Sequence, residues 1–98
     1  MIKIKIIPMG NIRKIVGWNT KEIEIEDGKI ENILKNIKID DRSSLFDLLI
    51  DKDGIKKKYS ILLNGKTVSS KDLNKELKSD DNIFVMDILP IIAGGINE

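Results

Sequence analysis

Two consecutive glycines near the end of the chain, Gly94 and Gly95, are the residues best suited to chemistry. Because they have no side chains, a main-chain carboxyl at this point would be accessible to another protein. They follow an apolar run that ends at Pro90, and the side chains shrink through Ala93 before they vanish. A peptide without Cβ atoms can enter a narrow channel, and residues 89–95 would reach roughly 20 Å when extended at about 3.3 Å per residue. We hypothesise that the main-chain carboxyl of Gly95 reacts inside another protein's active site. The alternative is a frayed terminus without a function.

The composition removes several classes of reactive side chain. The 98 residues include no cysteine and no histidine, which excludes thiol nucleophiles, disulfides, imidazole bases and ordinary zinc sites. With 17 basic and 16 acidic residues the net charge is +1, so no overall field attracts nucleic acid or membrane. The alternating start, residues 1–5, predicts neither a signal peptide nor a membrane span. We therefore expect a cytoplasmic protein with no cofactor, no metal, no nucleic-acid partner and no membrane partner.

Hydrophobic periodicity predicts the elements of the first half. Residues 2–6 alternate between isoleucine and lysine, as in a strand with one buried face. Residues 11–18 are interpreted as a connection, and residues 21–26 alternate again, with glutamates that can pair with the lysines of the first strand. Apolar residues then recur at the spacing of an amphipathic helix over residues 30–37.

The second half contains a short helical segment, a β-hairpin and a helical turn, separated by turn signals. A serine at 43 or 44 precedes a short helical segment, and residues 51–54 predict a turn. Asn64-Gly65 lies between β-forming residues and predicts a type I′ hairpin, because both positions need positive φ. A helical turn follows at residues 71–77, and a further turn at residues 79–82.

The last strand completes the predicted fold. Residues 83–89 form a nearly continuous apolar run, which predicts a central strand covered on both faces, and Pro90 should end its ladder. Placed parallel beside the first strand, it gives an α+β, ubiquitin-like β-grasp: a mixed sheet of about five strands, one main helix on one face and a short second helix. We expect a domain over residues 1–90 and a flexible tail over residues 91–98.

Five segments resemble one known family. Asn11–Gly17 is similar to its "LRELAG" connection, Glu26–Ile30 to the start of its first helix, and Tyr59–Gly65 to its strand ending in "NG". Leu77–Asp81 resembles its "L-x-D-G-D" turn, and Leu89–Gly95 resembles its "LPPVAGG" terminus. The family is that of the ubiquitin-like sulfur carriers, which includes the small subunit of molybdopterin synthase, the thiamine-pathway sulfur carrier and the small archaeal modifier proteins.

The resemblance implies that the chain is a substrate and not an enzyme. An adenylyltransferase related to ubiquitin-activating enzymes would convert the Gly95 carboxylate into an acyl adenylate, and sulfur would then displace AMP to leave a thiocarboxylate. Gly94 would let the end enter both the activating enzyme and a sulfur-accepting enzyme. Molybdopterin synthesis, with the large subunit of molybdopterin synthase as the acceptor, is preferred over thiamine synthesis and transfer-RNA thiolation, because residues 44–65 resemble the longer helical insert of that subgroup.

One departure from the family keeps other functions open. The residues Ile96-Asn97-Glu98 follow Gly95, so its carbonyl is part of a peptide bond until a tail-processing protease removes them. The chain could instead be a protein modifier that forms an isopeptide bond through Gly95. It could also be a binding module that uses its sheet face and never activates its end.

Overall fold

Five strands form a mixed sheet in the part of the chain that this computed structural model describes, residues 2–26, 28–77 and 83–91. In chain order the elements are β1 (Ile2–Pro8), α1 (Asn11–Val16), β2 (Lys21–Ile25), α2 (Ile30–Lys35), α3 (Leu45–Leu49), β3 (Ile50–Asp51), β4 (Gly54–Ile55), β5 (Tyr59–Leu63), β6 (Lys66–Thr67), a 3₁₀ helix (Ser70–Asn74) and β7 (Ile83–Pro90).

The strands of the sheet lie in the order β2-β1-β7-β5-β6, and β3 pairs with β4 in a separate small hairpin. β1 and β7 are parallel, whereas the other pairs of the sheet are antiparallel. The first and last strands therefore meet at the centre of the sheet. The predicted ubiquitin-like β-grasp, with a mixed five-stranded sheet and the last strand beside the first, is confirmed.

The charges of β1 and β2 pair as the sequence predicts. Lys3 lies opposite Glu24 and Lys5 lies opposite Glu22. The Nζ atom of Lys3 is 3.7 Å from a carboxylate oxygen of Glu24, and both side chains are largely exposed. Exposed pairs of this kind contribute about 0–1 kcal/mol, so the charges favour the hairpin register more than they stabilise the fold.

One face of the sheet carries the core. The alternating isoleucines of β1 and the residues Met86 and Ile88 of β7 point to this face and are buried. The helices cover it, and the buried Ile37 follows α2 instead of extending it. The fully buried side chains are Ile4, Ile6, Pro8, Ile12, Ile33, Leu34, Ile37, Leu45, Leu49, Ile61, Met86 and Ile88.

The predicted connection at residues 11–18 is wrong in part, because most of it forms the helix α1. Ile12 and Val16 are four residues apart on that helix, and both are buried. The amide of Gly17 donates to the Arg13 carbonyl while Gly17 takes φ 84°, which ends the helix in the left-handed conformation that glycine tolerates. The many β-branched residues of the segment obscured this short helical pattern.

The central position of β7 and its end at Pro90 are confirmed, but one detail of its prediction is wrong. The strand is not covered on both faces, since Ile83 is 51% exposed and burial is complete only at Met86 and Ile88. Pro90 ends the strand as predicted, with Tyr59 as its partner in the last pair, and one further hydrogen bond follows, from the amide of Ile91 to the Lys58 carbonyl at 2.7 Å. β1 pairs with β7 only as far as Ile88. The Pro90 nitrogen, which carries no hydrogen, faces the side of β7 that has no neighbouring strand at this point.

The predicted hairpin turn is confirmed by its backbone angles. Asn64 and Gly65 have φ values of 50° and 83°, as a type I′ turn requires. The side-chain Oδ1 of Asn64 also accepts the amide hydrogen of Val85 at 2.8 Å, which ties the turn to β7. Ser44 precedes α3 as predicted, and its amide donates to Asp47 at 2.9 Å. The predicted turn at residues 79–82 lies outside the described residues.

Candidate functional site: the root of the tail and the open sheet face

The described chain ends at residues 90–91, which we call the tail root. Pro90 lies opposite Tyr59 in the register of β5 and β7, and Tyr59 is buried. The Ile91 amide donates to the Lys58 carbonyl at 2.7 Å, while the Ile91 side chain is 46% exposed. The main chain is thus held by the sheet as far as Ile91, the first residue of the predicted tail.

The turn between β1 and α1 holds the tail root from the other side. The amide of Met9 donates to the carbonyl of Ile88 at 2.9 Å, and Gly10 packs against the Pro90 ring. A Cβ atom added to Gly10 would lie 2.9 Å from Cγ of Pro90, closer than real Cβ contacts allow. Gly10 also has φ 59° and ψ −137°, a conformation that side chains strongly disfavour. A glycine is therefore required where this turn meets β7.

The predicted reactive residues, Gly94 and Gly95, lie outside the described residues, so their role stays a prediction. Gly95 is four positions beyond Ile91, a length that spans about 13 Å when fully extended at roughly 3.3 Å per residue. The division into a domain over residues 1–90 and a tail over residues 91–98 also stays a prediction. What the structure contributes is the point from which the tail starts.

Basic side chains lie beside the tail root. Lys57 and Lys58 are exposed, and the Lys58 Nζ lies 5.5 Å from the centre of the Tyr59 ring, a cation–π contact. Lys56 is directed elsewhere, since its Nζ donates to the carbonyl of Asp47 at 3.2 Å. Of this run, Lys58 brings a positive charge next to the root.

The second face of the sheet carries an apolar surface around one carboxylate. Asp87 of β7 lies opposite Ile7 on one side and Leu62 on the other, and Val85 and Leu89 flank it on the same face of its own strand. The four apolar side chains are half-buried, and none of them belongs to the core or packs against it. We call Asp87 and these four residues the open-face patch.

The carboxylate of Asp87 makes no hydrogen bond and no ion pair with the residues that the structure describes. Lys5 lies on the same face, opposite Val85 and so diagonal to Asp87, without forming an ion pair with it. Sequence reasoning recognised Asp87 only as a break in an apolar run. The strand register was needed to show that apolar residues surround it.

The carboxyl groups with displaced pKa values are structural and remote from the tail root. The pKa of Asp72 is lowered to about 2 by the Ser69 amide hydrogen bond, the Lys75 ammonium and the Ser69 hydroxyl. The pKa of Asp40 is lowered mainly by hydrogen bonds from the Arg42 amide and the Ser43 hydroxyl. Both carboxylates order local turns, so neither indicates an acid–base site.

Residues 2–26, 28–77 and 83–91 contain neither a metal-binding cluster nor a membrane-spanning helix. No group of three or more histidine, cysteine, aspartate or glutamate side chains lies close enough to bind a metal ion within these ranges. Among the same residues, no helix has the length and apolar character needed to cross a membrane.

Solved structures resemble this chain over nearly its whole length. One, described as molybdopterin converting factor subunit 1 from Pyrococcus furiosus, is 23% identical with a TM-score of 0.65, covering 94% of this chain and 100% of its own. Small archaeal modifier protein 1 (SAMP1) from Methanosarcina acetivorans is 20% identical with a TM-score of 0.65, covering 97% and 98%. Urm1 from Sulfolobus solfataricus is 25% identical with a TM-score of 0.58, covering 89% and 99%.

These similarities confirm the resemblance predicted from the sequence, at the level of the fold. The matched structures are ubiquitin-like proteins of the sulfur-carrier and modifier kind, and the chain has their β-grasp fold. No protein-family model matches the chain, and no curated protein matches it by sequence.

Proposed function

We propose that this chain, with its ubiquitin-like carrier or modifier fold, is a cytoplasmic sulfur carrier that is activated at Gly95 after residues 96–98 are removed. One observation carries the proposal: β7, the central strand of the sheet, is held up to Ile91 and continues in the sequence to Ala93-Gly94-Gly95. A firm root followed by residues without bulky side chains suits a main-chain carboxyl that is presented to other active sites.

The proposed chemistry uses the chain as a substrate in three steps. A protease hydrolyses the bond between Gly95 and Ile96, which frees the Gly95 carboxylate. A carboxylate oxygen then attacks the α-phosphorus of ATP within an adenylyltransferase, so that pyrophosphate leaves and an acyl adenylate forms. Hydrosulfide attacks the acyl carbon, AMP leaves with the bonding electrons, and Gly95 carries a thiocarboxylate. Adenylation is needed because a carboxylate is a poor electrophile and AMP is a good leaving group.

The body of the protein contributes positioning in this scheme. Gly10 and Lys58 hold the tail root from two sides, which fixes the direction in which the tail leaves the sheet. Pre-organising the root lowers the entropic cost of placing the last residues in a narrow channel. In this scheme the chain acts as a protein substrate, and the catalytic side chains belong to its partners.

Molybdopterin synthesis is the destination that we propose for the sulfur. Support comes from the similarity to the Pyrococcus furiosus structure described as molybdopterin converting factor subunit 1. The segment between Ser44 and Gly65, which includes α3 and the β3–β4 hairpin, corresponds to the insert on which the sequence-based preference depended. The acceptor would then be the large subunit of molybdopterin synthase.

A protein modifier is the second candidate function. The similarity to SAMP1 from Methanosarcina acetivorans, a protein named as a modifier, favours it. In this case Gly95 would form an isopeptide bond with a lysine of a target protein, and the activating step would be the same. The two functions differ only in the nucleophile that displaces AMP: hydrosulfide in the carrier and an amine in the modifier.

The mass of the intact protein from its native cells tests the proposal. A sulfur carrier should appear without residues 96–98 and with one oxygen replaced by sulfur. Larger species in which the chain is joined to other proteins would indicate the modifier. An unchanged full-length mass, in cells that are making molybdopterin, would refute activation at Gly95 and leave a binding module as the function.

A further inference from the structure

β2 forms a long free edge of the sheet. It lies at one end of the strand order, where its five residues, Lys21–Ile25, pair with β1 on one side. On the other side, which we call the β2 edge, its main chain makes no hydrogen bond with any residue that the structure describes. β6, at the opposite end of the sheet, is only two residues long. A five-residue edge with free N–H and C=O groups is a template on which an extended segment can add one more strand.

The backbone of β2 does not block such an addition. The strand contains neither proline nor glycine, and its five pairs with β1 run in one register without a bulge. Prolines and bulges are common means by which proteins protect an edge. Selection at the β2 edge therefore depends on its side chains.

The side chains of β2 divide into an acidic row and an apolar row. Glu22 and Glu24 are exposed on one face of the strand, and Glu26 continues this row in the sequence. Ile23 and Ile25, on the other face, are half-buried and pack against the core. An added strand would therefore meet carboxylates on one of its faces and the margin of the apolar core on the other.

The two glutamates of β2 have charge to offer such a strand. Glu22 lies opposite Lys5 of β1 but forms no ion pair with the described residues. The Glu24 carboxylate is 3.7 Å from the Lys3 ammonium, and the Glu24 side chain is 51% exposed. Opposite charges directly across neighbouring strands are favourable, and like charges are unfavourable. A strand that places lysine or arginine opposite Glu22 and Glu24 would thus be selected over a neutral or acidic one.

β1 shows, on the inner side of β2, which sequence pattern fits. Its residues alternate between isoleucine and lysine, and each of its two lysines lies opposite a glutamate of β2. Ile2 and Ile4 of β1 lie opposite Ile25 and Ile23. The outer side of β2 offers the same two rows, because the side chains of a strand point above and below the sheet and not towards one neighbour.

The same glutamates exclude a second copy of this chain as the added strand. In an antiparallel pair, residues that lie directly opposite share a face. Glu22 would therefore lie opposite Glu24 of the second copy when the two Ile23 residues meet at the centre. A shift by two residues would bring Glu22 against Glu22 or Glu24 against Glu24. Each of these registers places like charges together, which is unfavourable, so the added strand must come from a different sequence.

We propose that the β2 edge binds an extended, basic segment of a partner protein by strand addition, with lysine or arginine at alternate positions opposite Glu22 and Glu24 and apolar residues between them. Main-chain hydrogen bonds to β2 provide attraction for any extended segment, and the acidic row provides the selectivity. The site does not involve residues 91–98, so it is independent of activation at Gly95.

The direct test is an NMR titration of the isotopically labelled full chain with a synthetic peptide, Thr-Val-Arg-Val-Arg-Val-Thr, whose ends are blocked. A comparison peptide carries glutamate in place of arginine. We expect saturable binding of the basic peptide with a dissociation constant below about 1 mM, and binding of the acidic peptide that is weaker by about tenfold or more. Absence of saturable binding by the basic peptide, or equal binding of both peptides, would overturn the inference.

Two variants of equal net charge locate the site. Glu22→Gln combined with Glu24→Gln neutralises the acidic row and should weaken binding of the basic peptide by about tenfold. Asp41→Asn combined with Asp53→Asn removes the same charge at exposed positions outside the five-stranded sheet and should change the constant by less than about twofold. Thermal unfolding confirms that both free variants are folded. An equal loss of affinity in both would mean that the peptide responds only to net charge, and the site would be refuted.

Amide hydrogen exchange distinguishes strand addition from attraction to the face of the sheet. Alternate amides of β2 point away from β1 and should exchange fast in the free chain. The basic peptide should slow the exchange of these amides, because each becomes a hydrogen-bond donor to the added strand. Binding that leaves their exchange unchanged would contradict strand addition. Protection of the same amides in the free chain as its concentration rises would indicate pairing between two copies, which would also overturn the inference.

Discussion

Replacing Gly10 by alanine tests how the tail root is held. The new Cβ would lie 2.9 Å from Cγ and 3.4 Å from Cδ of Pro90, so either the β1–α1 turn or the proline ring must move. The positive φ of Gly10 adds backbone strain of about 1–3 kcal/mol. In a domain of this size each kcal/mol lowers the melting temperature by roughly 4–8 °C, so we expect a loss of roughly 5–20 °C.

Gly17→Ala is the matched control for backbone strain without a clash. Gly17 also has a positive φ, 84°, but a Cβ atom added there would meet nothing within 4 Å. We expect about 1–2 kcal/mol of destabilisation from the left-handed conformation alone. The difference between the two variants combines the contact with Pro90 and the less tolerated backbone conformation of Gly10, which has φ 59° and ψ −137° where Gly17 has φ 84° and ψ 12°.

Thermal unfolding followed by circular dichroism gives the stability of both variants, and amide hydrogen exchange reports on the root. The Ile91 amide, which donates to the Lys58 carbonyl, should exchange faster in Gly10→Ala by more than the loss of global stability explains. In Gly17→Ala its exchange should follow global stability alone. If Gly10→Ala were no less stable than Gly17→Ala and left Ile91 exchange unchanged, the idea that this turn holds the tail root would be refuted.

Three further predictions concern the 3₁₀ helix, the hairpin turn and the tail. The pKa of Asp72 is lower in the folded chain than its usual 3.8, so the stability lost in Asp72→Ala should be greatest above pH 3.8 and should disappear as the pH falls towards about 2, as measured by thermal unfolding across this range. Asn64→Ala loses the acceptor of the Val85 amide and strains a positive φ, and urea unfolding should show a loss of about 1–3 kcal/mol. Asn64→Gly relieves the strain and should recover part of that loss, and no recovery would contradict the proposed role of the positive φ. Deleting residues 95–98 should abolish adenylation while changing the free energy of unfolding by less than about 0.5 kcal/mol; a larger loss would mean that the tail is part of the fold.

The features that the sequence predicted correctly are local or strictly periodic. The alternation of β1 and β2 determines which side chains share a face, so the pairing of the β1 lysines with the β2 glutamates could be predicted, whereas the register that joins Lys3 to Glu24 came from the structure. The Asn64-Gly65 pair predicts its turn because few other residues tolerate positive φ at both positions. The position of β7 beside β1 followed from the order of the elements together with the length of its apolar run.

The features that the sequence did not predict depend on long-range contacts. The helix α1 buries only Ile12 and Val16, too few residues for a helical pattern to be distinguished from a β-branched segment. The contact between Gly10 and Pro90 joins residues from opposite ends of the chain, and no local pattern indicates it. The same distinction holds for the candidate site. The sequence alone indicated the glycine pair, Gly94 and Gly95, whereas the geometry of the tail root came from the structure.

The apolar run of β7 was misinterpreted for a reason that bears on function. Val85 and Leu89 look like core residues in the sequence, yet they lie on the face that the core leaves open. The four apolar side chains of the open-face patch are half-buried, and an apolar surface that the core does not use is a place where a partner can bind. The single charge in the run, Asp87, lies on this face as well.

The tail root and the proposed reactive end lie on one continuous stretch of chain. The sheet fixes the position of Ile91 through the hydrogen bond from its amide to the Lys58 carbonyl, and three residues lie between Ile91 and Gly95. So short a segment would confine the Gly95 carboxyl to within about 13 Å of the root at roughly 3.3 Å per residue. If the proposed function holds, an enzyme that recognises the body of the protein would find the carboxyl nearby, and the tail would need only to be thin enough to enter the active site.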